Sequence, residues 1–379
     1  MSKSLFFVAG EASGDAHGAA LMRALRELAP EIRLLGRGGP RMHELAADDF
    51  TDWSEHSAVL GLWEVLKQYR YFRREFGRTI EEIARAQADA VVLIDYPGFN
   101  LRLARALRRQ LPRLKIIYYI SPQVWAWNRR RIPKMARYLD LMLCIFPFEA
   151  ELYNQSGLRT VFVGHPMIES LAARRVPPSR DAILIGLFPG SRAREIRKIL
   201  PVMLATAARI AAVKPHIRFE IAAASATLAR QIEDQVHAAA LRADAVRITV
   251  GEASAAMQRA AVGLVASGTA TLEAAFFLMP FVLVYRVAWL TYFAARAVVK
   301  VKHLGMPNVL AGREIVPEFI QHRARPEVMA AAVLTLLEDG SAREEMLANF
   351  NQVIAQLGDT GASMKAADAI VRELERANE

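Results

Sequence analysis

Short runs of apolar, β-branched or aromatic residues alternate with alanine- and arginine-rich stretches of helical spacing along almost the whole chain. Repeated strand–helix–strand units of this kind fold into parallel sheets that carry helices on both faces. The pattern therefore predicts an α/β fold with a helical C-terminal region. The predicted strands cover residues 5–9, 32–35, 90–94, 115–120, 141–145, 160–163, 183–188, 217–222, 245–250, 262–266 and 281–285.

A segment rich in proline and arginine interrupts this alternation near the middle of the chain. At 379 residues the chain is long enough for two domains, each with its own core. Residues 166–181 include Arg174-Arg175-Val176-Pro177-Pro178 and are predicted to link them. We expect two doubly wound, Rossmann-like domains, residues 1–168 and 169–354. They would face one another across a cleft at the carboxyl ends of both sheets, where ligands of such folds bind.

Composition narrows the class of protein. The chain is 53% hydrophobic and 23% charged, as globular proteins are. The single cysteine, Cys144, lies in an apolar run, which predicts a buried thiol in a protein of the reducing cytoplasm. The longest apolar stretch, residues 274–285, is shorter than the ~18 residues that a membrane span needs. The apolar residues at the N-terminus are too few for a signal peptide.

The net charge of +10 favours an anionic partner: a nucleic acid, an anionic lipid or a phosphorylated substrate. The sequence contains no zinc-finger spacing, aromatic RNA-binding signature or clear helix-turn-helix, so no nucleic-acid partner is predicted. It also contains no HExxH, paired CxxC or DxD motif. We therefore predict neither a metal site nor a cofactor.

A strand-to-helix turn after residues 262–266 has the features of a phosphate-binding loop. Ser267 and Gly268 lead into a helix whose first turns contain Thr269, Thr271 and Glu273. The unpaired N–H groups and the positive dipole end of such a helix favour a phosphate. Glu273 is placed to accept hydrogen bonds from the two hydroxyls of a ribose.

A second turn of the same style follows residues 183–188. It contains Gly190, Ser191 and Arg192, and the arginine is a permanently charged donor for a diphosphate. Two such loops without a Walker lysine predict a bound nucleoside diphosphate. The alternative is that both are ordinary turns rich in small residues.

The first predicted strand runs into a polar turn that contains Glu11, Ser13, Gly14 and Asp15. Its glycines do not match the GxGxxG pattern of dinucleotide sites, and Ser13 does not fit the GxSxG nucleophile elbow. We predict that these four residues bind a sugar or a phosphate. Helix capping by Ser13 or Asp15 is the alternative.

Asp95 directly follows the strand at residues 90–94. Partial burial at a strand's carboxyl end would raise its pKa and suit it to act as a general base toward a hydroxyl nucleophile. The alternative is that it caps the next helix. After the following strand, Gln123 and Trp125 are predicted to bind substrate. The paired tryptophans Trp125 and Trp127 would stack on a sugar, and residues 129–131, all arginine, would contact a phosphate. Packing and a solvated helix face explain this segment equally well.

Several motifs together resemble those of lipid-A-disaccharide synthases, in the right order and over nearly the whole chain. They are Gly10-Glu11-Ala12-Ser13-Gly14-Asp15, Ile94-Asp95-Tyr96-Pro97-Gly98-Phe99-Asn100, Ser121-Pro122-Gln123-Val124-Trp125-Ala126-Trp127, Phe146-Pro147-Phe148-Glu149, Pro189-Gly190-Ser191-Arg192, Ser267-Gly268-Thr269-Ala270-Thr271-Leu272-Glu273 and Met306-Pro307-Asn308-Val309-Leu310-Ala311-Gly312-Arg313.

The resemblance implies a GT-B-type glycosyltransferase that joins UDP-2,3-diacylglucosamine to 2,3-diacylglucosamine 1-phosphate. The product would be a β-1,6-linked disaccharide 1-phosphate, with release of UDP. It also implies that a final helix, residues ~355–379, crosses back to the N-terminal domain, and it allows homodimers with exchanged C-terminal parts.

The resemblance also assigns roles to single residues. Asp95 matches the family's catalytic acid, Arg192 the arginine that holds the diphosphate, and Glu273 the ribose position. Asn308 lies in a stretch similar to the family's PNLLAGRE motif. Gly98 stands where some relatives carry an acidic residue, which removes a charge beside the expected base.

A diacylated acceptor implies a protein that works on the inner face of the inner membrane. The region Leu62–Arg78 suits such an interface, because an apolar stripe runs beside a row of cations. Residues 289–302 are a second predicted contact, and an ordinary core-facing helix is the alternative. The stripe consists of Leu62, Val65, Leu66, Tyr69, Phe72 and Phe76, and the cations are Lys67, Arg70, Arg73, Arg74 and Arg78.

Two other functions stay open. A UDP-N-acetylglucosamine 2-epimerase, or another GT-B enzyme that uses this nucleotide sugar, shares the architecture and would turn over unacylated UDP-N-acetylglucosamine. A non-catalytic protein that binds anionic lipids would show no affinity for UDP.

Overall fold

A computed structural model describes residues 3–46, 50–53, 69–177, 179–239, 241–289, 292, 296, 301–338 and 340–376. The chain forms two compact units: Met1–Glu169 with Leu357–Glu379, and Ser170–Gln356. Each unit is built on a parallel sheet, of seven and six strands respectively. The predicted α/β fold with two doubly wound sheets is confirmed.

The sheet of the first unit has the order β3-β2-β1-β4-β5-β6-β7. Its strands are β1 (Ser4–Ala9), β2 (Arg33–Gly38), β3 (Phe50–Asp52), β4 (Ala90–Ile94), β5 (Lys115–Tyr119), β6 (Leu141–Cys144) and β7 (Thr160–Phe162). Its helices are α1 (Ala12–Leu28), α2 (Pro40–His43), α3 (Tyr69–Ala86), α4 (Pro97–Gln110), α5 (Val124–Trp127), α6 (Ile132–Met135), α7 (Pro147–Asn154), α8 (Met167–Ala172, which reaches into the second unit) and α16 (Ala362–Glu375).

The central strands of this sheet are buried on both faces, which explains their continuous apolar sequences. Every residue of β4 is buried, and α1 and α16 lie against the same hydrophobic core. Leu5 and Phe7 of β1 pack there with Ala366 and Ile370 of α16. The last helix of the chain is therefore part of the first unit's core.

The sheet of the second unit has the order β10-β9-β8-β11-β12-β13. Its strands are β8 (Asp181–Phe188), β9 (Arg218–Ala223), β10 (Val246–Val250), β11 (Ala260–Ala266), β12 (Phe281–Tyr285) and β13 (Glu318–Ile320). Its helices are α9 (Ala193–Val213), α10 (Ala226–His237), α11 (Ala253–Arg259), α12 (Ala270–Phe276), α13 (Met306–Ala311), α14 (Pro326–Leu337) and α15 (Ser341–Gln356).

Each sheet has one point at which the strand order reverses. In the first unit it lies between β1 and β4, and in the second between β8 and β11. Ligands of doubly wound folds bind beyond the carboxyl ends of the strands at such a switch point. The predicted site residues at 10–15 and Asp95 follow the first pair of strands, and those at 190–192 and 267–273 follow the second.

Two details of the fold differ from the prediction. Two three-residue edge strands, β3 and β13, were not predicted, because FTD and EFI each contain a charged residue and do not form an apolar run. Part of the predicted linker forms α8.

The predicted burial of Cys144 is confirmed. Among the described residues, no helix combines the length and the hydropathy required to cross a membrane.

Candidate functional site

Asp95 sits in an unusual backbone conformation at the end of β4. Its φ is 45° and that of Tyr96 is 49°, both in the left-handed region. The Asp95 N–H donates to the Tyr119 carbonyl at 2.9 Å, and its own carbonyl accepts from the Tyr118 hydroxyl and from Asn100 Nδ2. Such conformations cost on the order of 1–3 kcal/mol each and persist where neighbours enforce them, often at functional sites.

The environment of Asp95 changes its acidity. Burial raises the pKa of this carboxyl, and the negative charge of Glu11 raises the pKa further, against a smaller lowering by the Tyr96 N–H. Glu11 acts on Asp95 because β1 and β4 are neighbours in the sheet. A carboxylate with a raised pKa is a better proton acceptor in the transition state.

The polar turn after β1 divides into an exposed and a buried part. Glu11 and Ser13 are exposed at the start of α1, and Gly14 is buried beneath them. Asp15 is 4% exposed, and its carboxylate accepts the backbone N–H groups of Gly39, Arg41 and Met42 at 3.0–3.2 Å. Asp15 thus holds the turn between β2 and α2, and Glu11 and Ser13 are the residues open to a ligand.

Trp125 lies in the core of the first unit and not on its surface. It is 4% exposed, and its indole N–H donates to Glu149 at 2.8 Å. Its ring packs edge-on against Phe148. These contacts support the packing alternative for Trp125. Gln123, two residues earlier, is exposed.

Glu149 is a residue to which the sequence assigned no role. Its buried carboxylate accepts the Ser121 hydroxyl, the Trp125 indole N–H and the Phe146 backbone N–H. Burial raises the pKa of Glu149 to about 7, and these donors oppose the rise. Glu149 therefore joins the turn after β5 to the start of α7. An acid just after a proline at a strand-to-helix junction was the signal available in the sequence.

Backbone N–H groups of the loop after β8 donate to the carboxylate of Glu195, in the first turn of α9. Gly190 has a φ of 108°, a conformation that glycine adopts without strain. The Glu195 carboxylate accepts the N–H groups of Ser191 and Arg192 at 3.0 and 3.3 Å and contacts Arg192 Nη1 at 3.1 Å. The Arg192 side chain is 63% exposed. An exposed ion pair is worth at most about 1 kcal/mol, so Arg192 is free to exchange Glu195 for a ligand.

The loop after β11 presents small and hydroxyl side chains at the surface. Gly268, with a φ of 148°, and Thr269 are exposed, and Ser267 is half-buried. Thr271 is buried and donates its hydroxyl to the Gly268 carbonyl at 2.7 Å, which closes the turn. Glu273 is half-buried and accepts the Ser254 hydroxyl. Ser254 of α11 was not identified from the sequence.

Asn308 is fully buried, and its amide is satisfied within the second unit. Nδ2 donates to the Val316 carbonyl and to Glu318, and Oδ1 accepts the N–H groups of Ile315 and Val316, all at 2.8–2.9 Å. Glu318 in turn accepts the Leu304 and Gly305 N–H groups. These contacts support a role in positioning the loops around α13. A direct contact between Asn308 and a ligand stays a prediction.

Most of the predicted site residues therefore follow the strands at the switch point of each sheet: Glu11 to Asp15 and Asp95 in the first unit, and residues 190–192 and 267–273 in the second. Gln123, Trp125 and Asn308 lie elsewhere, after β5 and in α13. In the part of the chain that the structure describes, no cluster of three or more His, Cys, Asp or Glu side chains is arranged to hold a metal ion.

Comparison with known proteins identifies the family. The sequence profile described as lipid-A-disaccharide synthetase matches residues 5–371. The chain belongs to the lipid-A-disaccharide synthase family. It is 39% identical to the lipid-A-disaccharide synthase of Anaeromyxobacter dehalogenans, over 98% of this chain and 97% of that protein. It is 38% identical to that of Pseudomonas aeruginosa, over 97% of each. The protein is thus a glycosyltransferase of lipid A biosynthesis.

Solved structures show the same architecture at low identity. A UDP-N-acetylglucosamine 2-epimerase from Listeria monocytogenes superposes with a TM-score of 0.65 at 13% identity and covers 100% of this chain and 98% of its own. Acinetobacter baumannii MurG superposes with a TM-score of 0.57 at 14% identity, over 98% and 99%. These similarities support a GT-B fold for this chain, as expected for lipid-A-disaccharide synthases. At such low identity they do not indicate which reaction it catalyses.

Proposed function

We propose that the protein is an inverting transferase that joins UDP-2,3-diacylglucosamine to 2,3-diacylglucosamine 1-phosphate through a β-1,6 linkage. The observation that carries this proposal is Asp95, held at the switch point of the first sheet with a raised pKa. Family membership supplies the reaction class, and the chemistry of Asp95 supplies the step. Attack on the anomeric carbon from the face opposite the leaving UDP would turn the α-linked donor into a β-linked product.

In the proposed step Asp95 accepts the proton of the acceptor's 6-hydroxyl as that oxygen attacks the anomeric carbon of the donor. The bond between this carbon and the diphosphate oxygen breaks on the opposite face, and UDP leaves with the electron pair. One displacement of this kind inverts the anomeric configuration. The proton ends on Asp95 and passes to solvent.

The second unit would hold the nucleotide. Arg192 and the helix start at Gly268–Thr271 are placed to stabilise the charge that develops on UDP, and each such donor is worth on the order of 3 kcal/mol in the transition state. Glu273, hydrogen-bonded to Ser254, would accept the ribose hydroxyls. The exposure of Arg192 and Thr269 supports this arrangement.

The direct test is incubation of the protein with both diacylated substrates, followed by mass spectrometry for the disaccharide 1-phosphate and UDP. NMR of the product reads the anomeric configuration. Turnover of UDP-N-acetylglucosamine alone, with no disaccharide, would replace this proposal by the epimerase. An α-linked product would overturn the inverting mechanism.

We expect full activity in excess EDTA, because arginine and helix N–H groups replace the metal ion that many transferases use to neutralise the leaving diphosphate. The measurement is the initial rate before and after extensive chelation, with and without added Mg²⁺ or Mn²⁺. A strict requirement for either ion would contradict the assignment of Arg192 to the diphosphate.

Replacing Glu11 by glutamine is expected to shift the acid limb of the kcat/KM profile to lower pH. The limb reports the pKa of the free enzyme's base, and Glu11 raises the pKa of Asp95. Removing that charge therefore lowers the pKa, and Asp95 stays ionised in more acidic solution. Ser13→Ala on the same exposed turn is the matched control and should leave the limb in place. If the acid limb is unchanged in Glu11→Gln, it does not report the pKa of Asp95.

We further propose that the protein works at the inner membrane surface through the region Leu62–Arg78. Leu62, Val65 and Leu66 lie outside the described residues, as does the side chain of Tyr69. Phe72 and Phe76 are half-buried, and the Phe76 ring lies 5.5 Å from that of Phe99. Most of the second predicted contact, residues 289–302, is also outside the described part, and dimerisation stays a prediction.

Serine substitutions at Leu62, Leu66, Tyr69 and Phe72 are expected to reduce binding to anionic liposomes while UDP affinity is kept, because an interfacial helix binds through its buried apolar area. Liposome flotation and calorimetry with UDP measure the two. Phe76→Ser is the control for a core contact and should lower the melting temperature. Unchanged flotation of the quadruple variant would place docking elsewhere, and its unfolding would show that the stripe is core.

A further inference from the structure

A groove in the first unit is lined by cations from two directions. It lies between α4 and the segment Asn128–Tyr138 and has a volume of about 950 Å³. Seven arginines and one lysine line it, with no carboxylate among the lining residues. The cations are Arg102, Arg105, Arg108, Arg109, Arg130, Arg131, Lys134 and Arg137.

Acidic side chains of the described residues balance few of these charges. In the described part of the chain, only Arg108 among the eight forms an ion pair, with Asp140. A cavity of the second unit, of about 1050 Å³, is lined instead by four arginines and four carboxylates. Like charges at neighbouring helix positions repel one another. The groove therefore favours an anion that the described residues do not supply.

The geometry of the groove suits a compact anion. Arg102, Arg105 and Arg109 recur at the spacing of one helix face on α4. Opposite them, the Arg131 guanidinium lies over the Trp127 ring at 4.6 Å, which holds it in place. Burial raises the pKa of Tyr138, and the charges of Arg131 and Arg105 both lower it, so the two guanidinium groups approach the same half-buried phenol. The planar guanidinium group of an arginine can donate two parallel hydrogen bonds to the oxygens of one phosphate.

Part of the groove's lining is next in sequence to the proposed catalytic base. Pro97 and Gly98 line the groove and begin α4, directly after Asp95 and Tyr96. A Cβ at Gly98 would meet nothing within 4 Å, so the space beside Gly98 is open. An acceptor sugar that places its 6-hydroxyl at Asp95 would carry its 1-phosphate on the same ring.

We propose that Arg105 and Arg131, with Arg102, bind the phosphomonoester of the acceptor sugar and so select a phosphorylated acceptor. This inference rests on the proposed function. The groove is lined from two elements, with Arg105 on one and Arg131 on the other, which fits a single phosphate better than a bilayer surface, where cations would be spread outward.

The test compares two acceptors, 2,3-diacylglucosamine with and without its 1-phosphate, in detergent micelles. The wild type should prefer the phosphorylated acceptor in kcat/KM. Arg105→Gln and Arg131→Gln should each reduce that preference by about tenfold, as expected for loss of a charge-assisted contact, with the Kd for UDP unchanged. Arg113→Gln, at an exposed arginine just beyond α4 that does not line the groove, is the matched control and should keep the preference.

An unchanged preference in both variants overturns the proposal. An equal loss in Arg113→Gln overturns it as well, because it would show that the preference comes from the overall positive charge and not from the groove. If the variants lose binding to phosphatidylglycerol vesicles and keep the preference, the groove is a lipid-docking surface and the proposal is wrong. If the wild type forms no disaccharide with either acceptor, the proposed function fails. Calorimetry with glucosamine 1-phosphate then decides: the proposal requires binding by the wild type that Arg131→Gln weakens at least tenfold.

Discussion

Replacing Asp95 by asparagine is expected to lower kcat by ~100-fold or more, the range typical for loss of general acid–base catalysis. The amide has the shape of the carboxyl but does not accept a proton. Asparagine also tolerates the left-handed backbone that this position requires, so the fold should survive. The measurement is kcat at saturating substrates.

Two further measurements separate chemistry from structure in this variant. Calorimetry with UDP should give an unchanged Kd, because the nucleotide is assigned to the second unit, and the melting temperature should stay close to that of the wild type. Near-normal turnover in a folded Asp95→Asn protein would remove the residue from the role of base.

Replacing Arg192 by alanine is expected to weaken UDP binding by ~10–100-fold and to slow turnover as well. A hydrogen bond to a charged group is worth about 1.5–3 kcal/mol, and this one would act on charge present both before and during the transition state. Arg192→Lys should recover only part of the loss, because lysine lacks the planar fork. Calorimetry with UDP and steady-state kinetics measure both effects.

The structure offers a matched control for this variant. Arg194 is exposed on the same helix, two residues farther on, and Arg194→Ala should leave both UDP affinity and turnover unchanged. Stability should hardly change in Arg192→Ala, since its ion pair with Glu195 is exposed. An unchanged Kd for UDP in Arg192→Ala would show that the diphosphate binds elsewhere.

Local pattern was enough to predict most of the fold. All eleven predicted strands are present, from β1 to β12 with the exception of β3, because strands buried on both faces need apolar side chains throughout. The edge strands β3 and β13 were missed, since each contains a charged residue and lacks the apolar run by which β7, an edge strand of the same length, was predicted. The two phosphate-type loops could likewise be recognised from their small residues and hydroxyls.

Three of the predicted site residues have protein partners that the sequence did not indicate, and their contacts with a ligand stay predictions. Asp15 and Trp125 were selected because polar or aromatic groups follow strands in this fold, and Asn308 because its stretch resembles a family motif. Their partners are the N–H groups after β2, the buried carboxylate of Glu149, and the loop before β13. A residue's type indicates which bonds it forms, whereas the tertiary fold decides whether a ligand or the protein itself provides the partner.

The sequence by itself determined the alternation of strands and helices, the loops at the strand ends and the resemblance to lipid-A-disaccharide synthases, because each of these is written in contiguous residues. Only the tertiary structure decided that Glu11 raises the pKa of Asp95, that Glu149 ties two strand ends together, and that the cations of α4 face those of residues 130–137. Strand order brings these groups together from distant parts of the chain. Electrostatic and hydrogen-bond energies depend on that distance in space and not on separation in sequence.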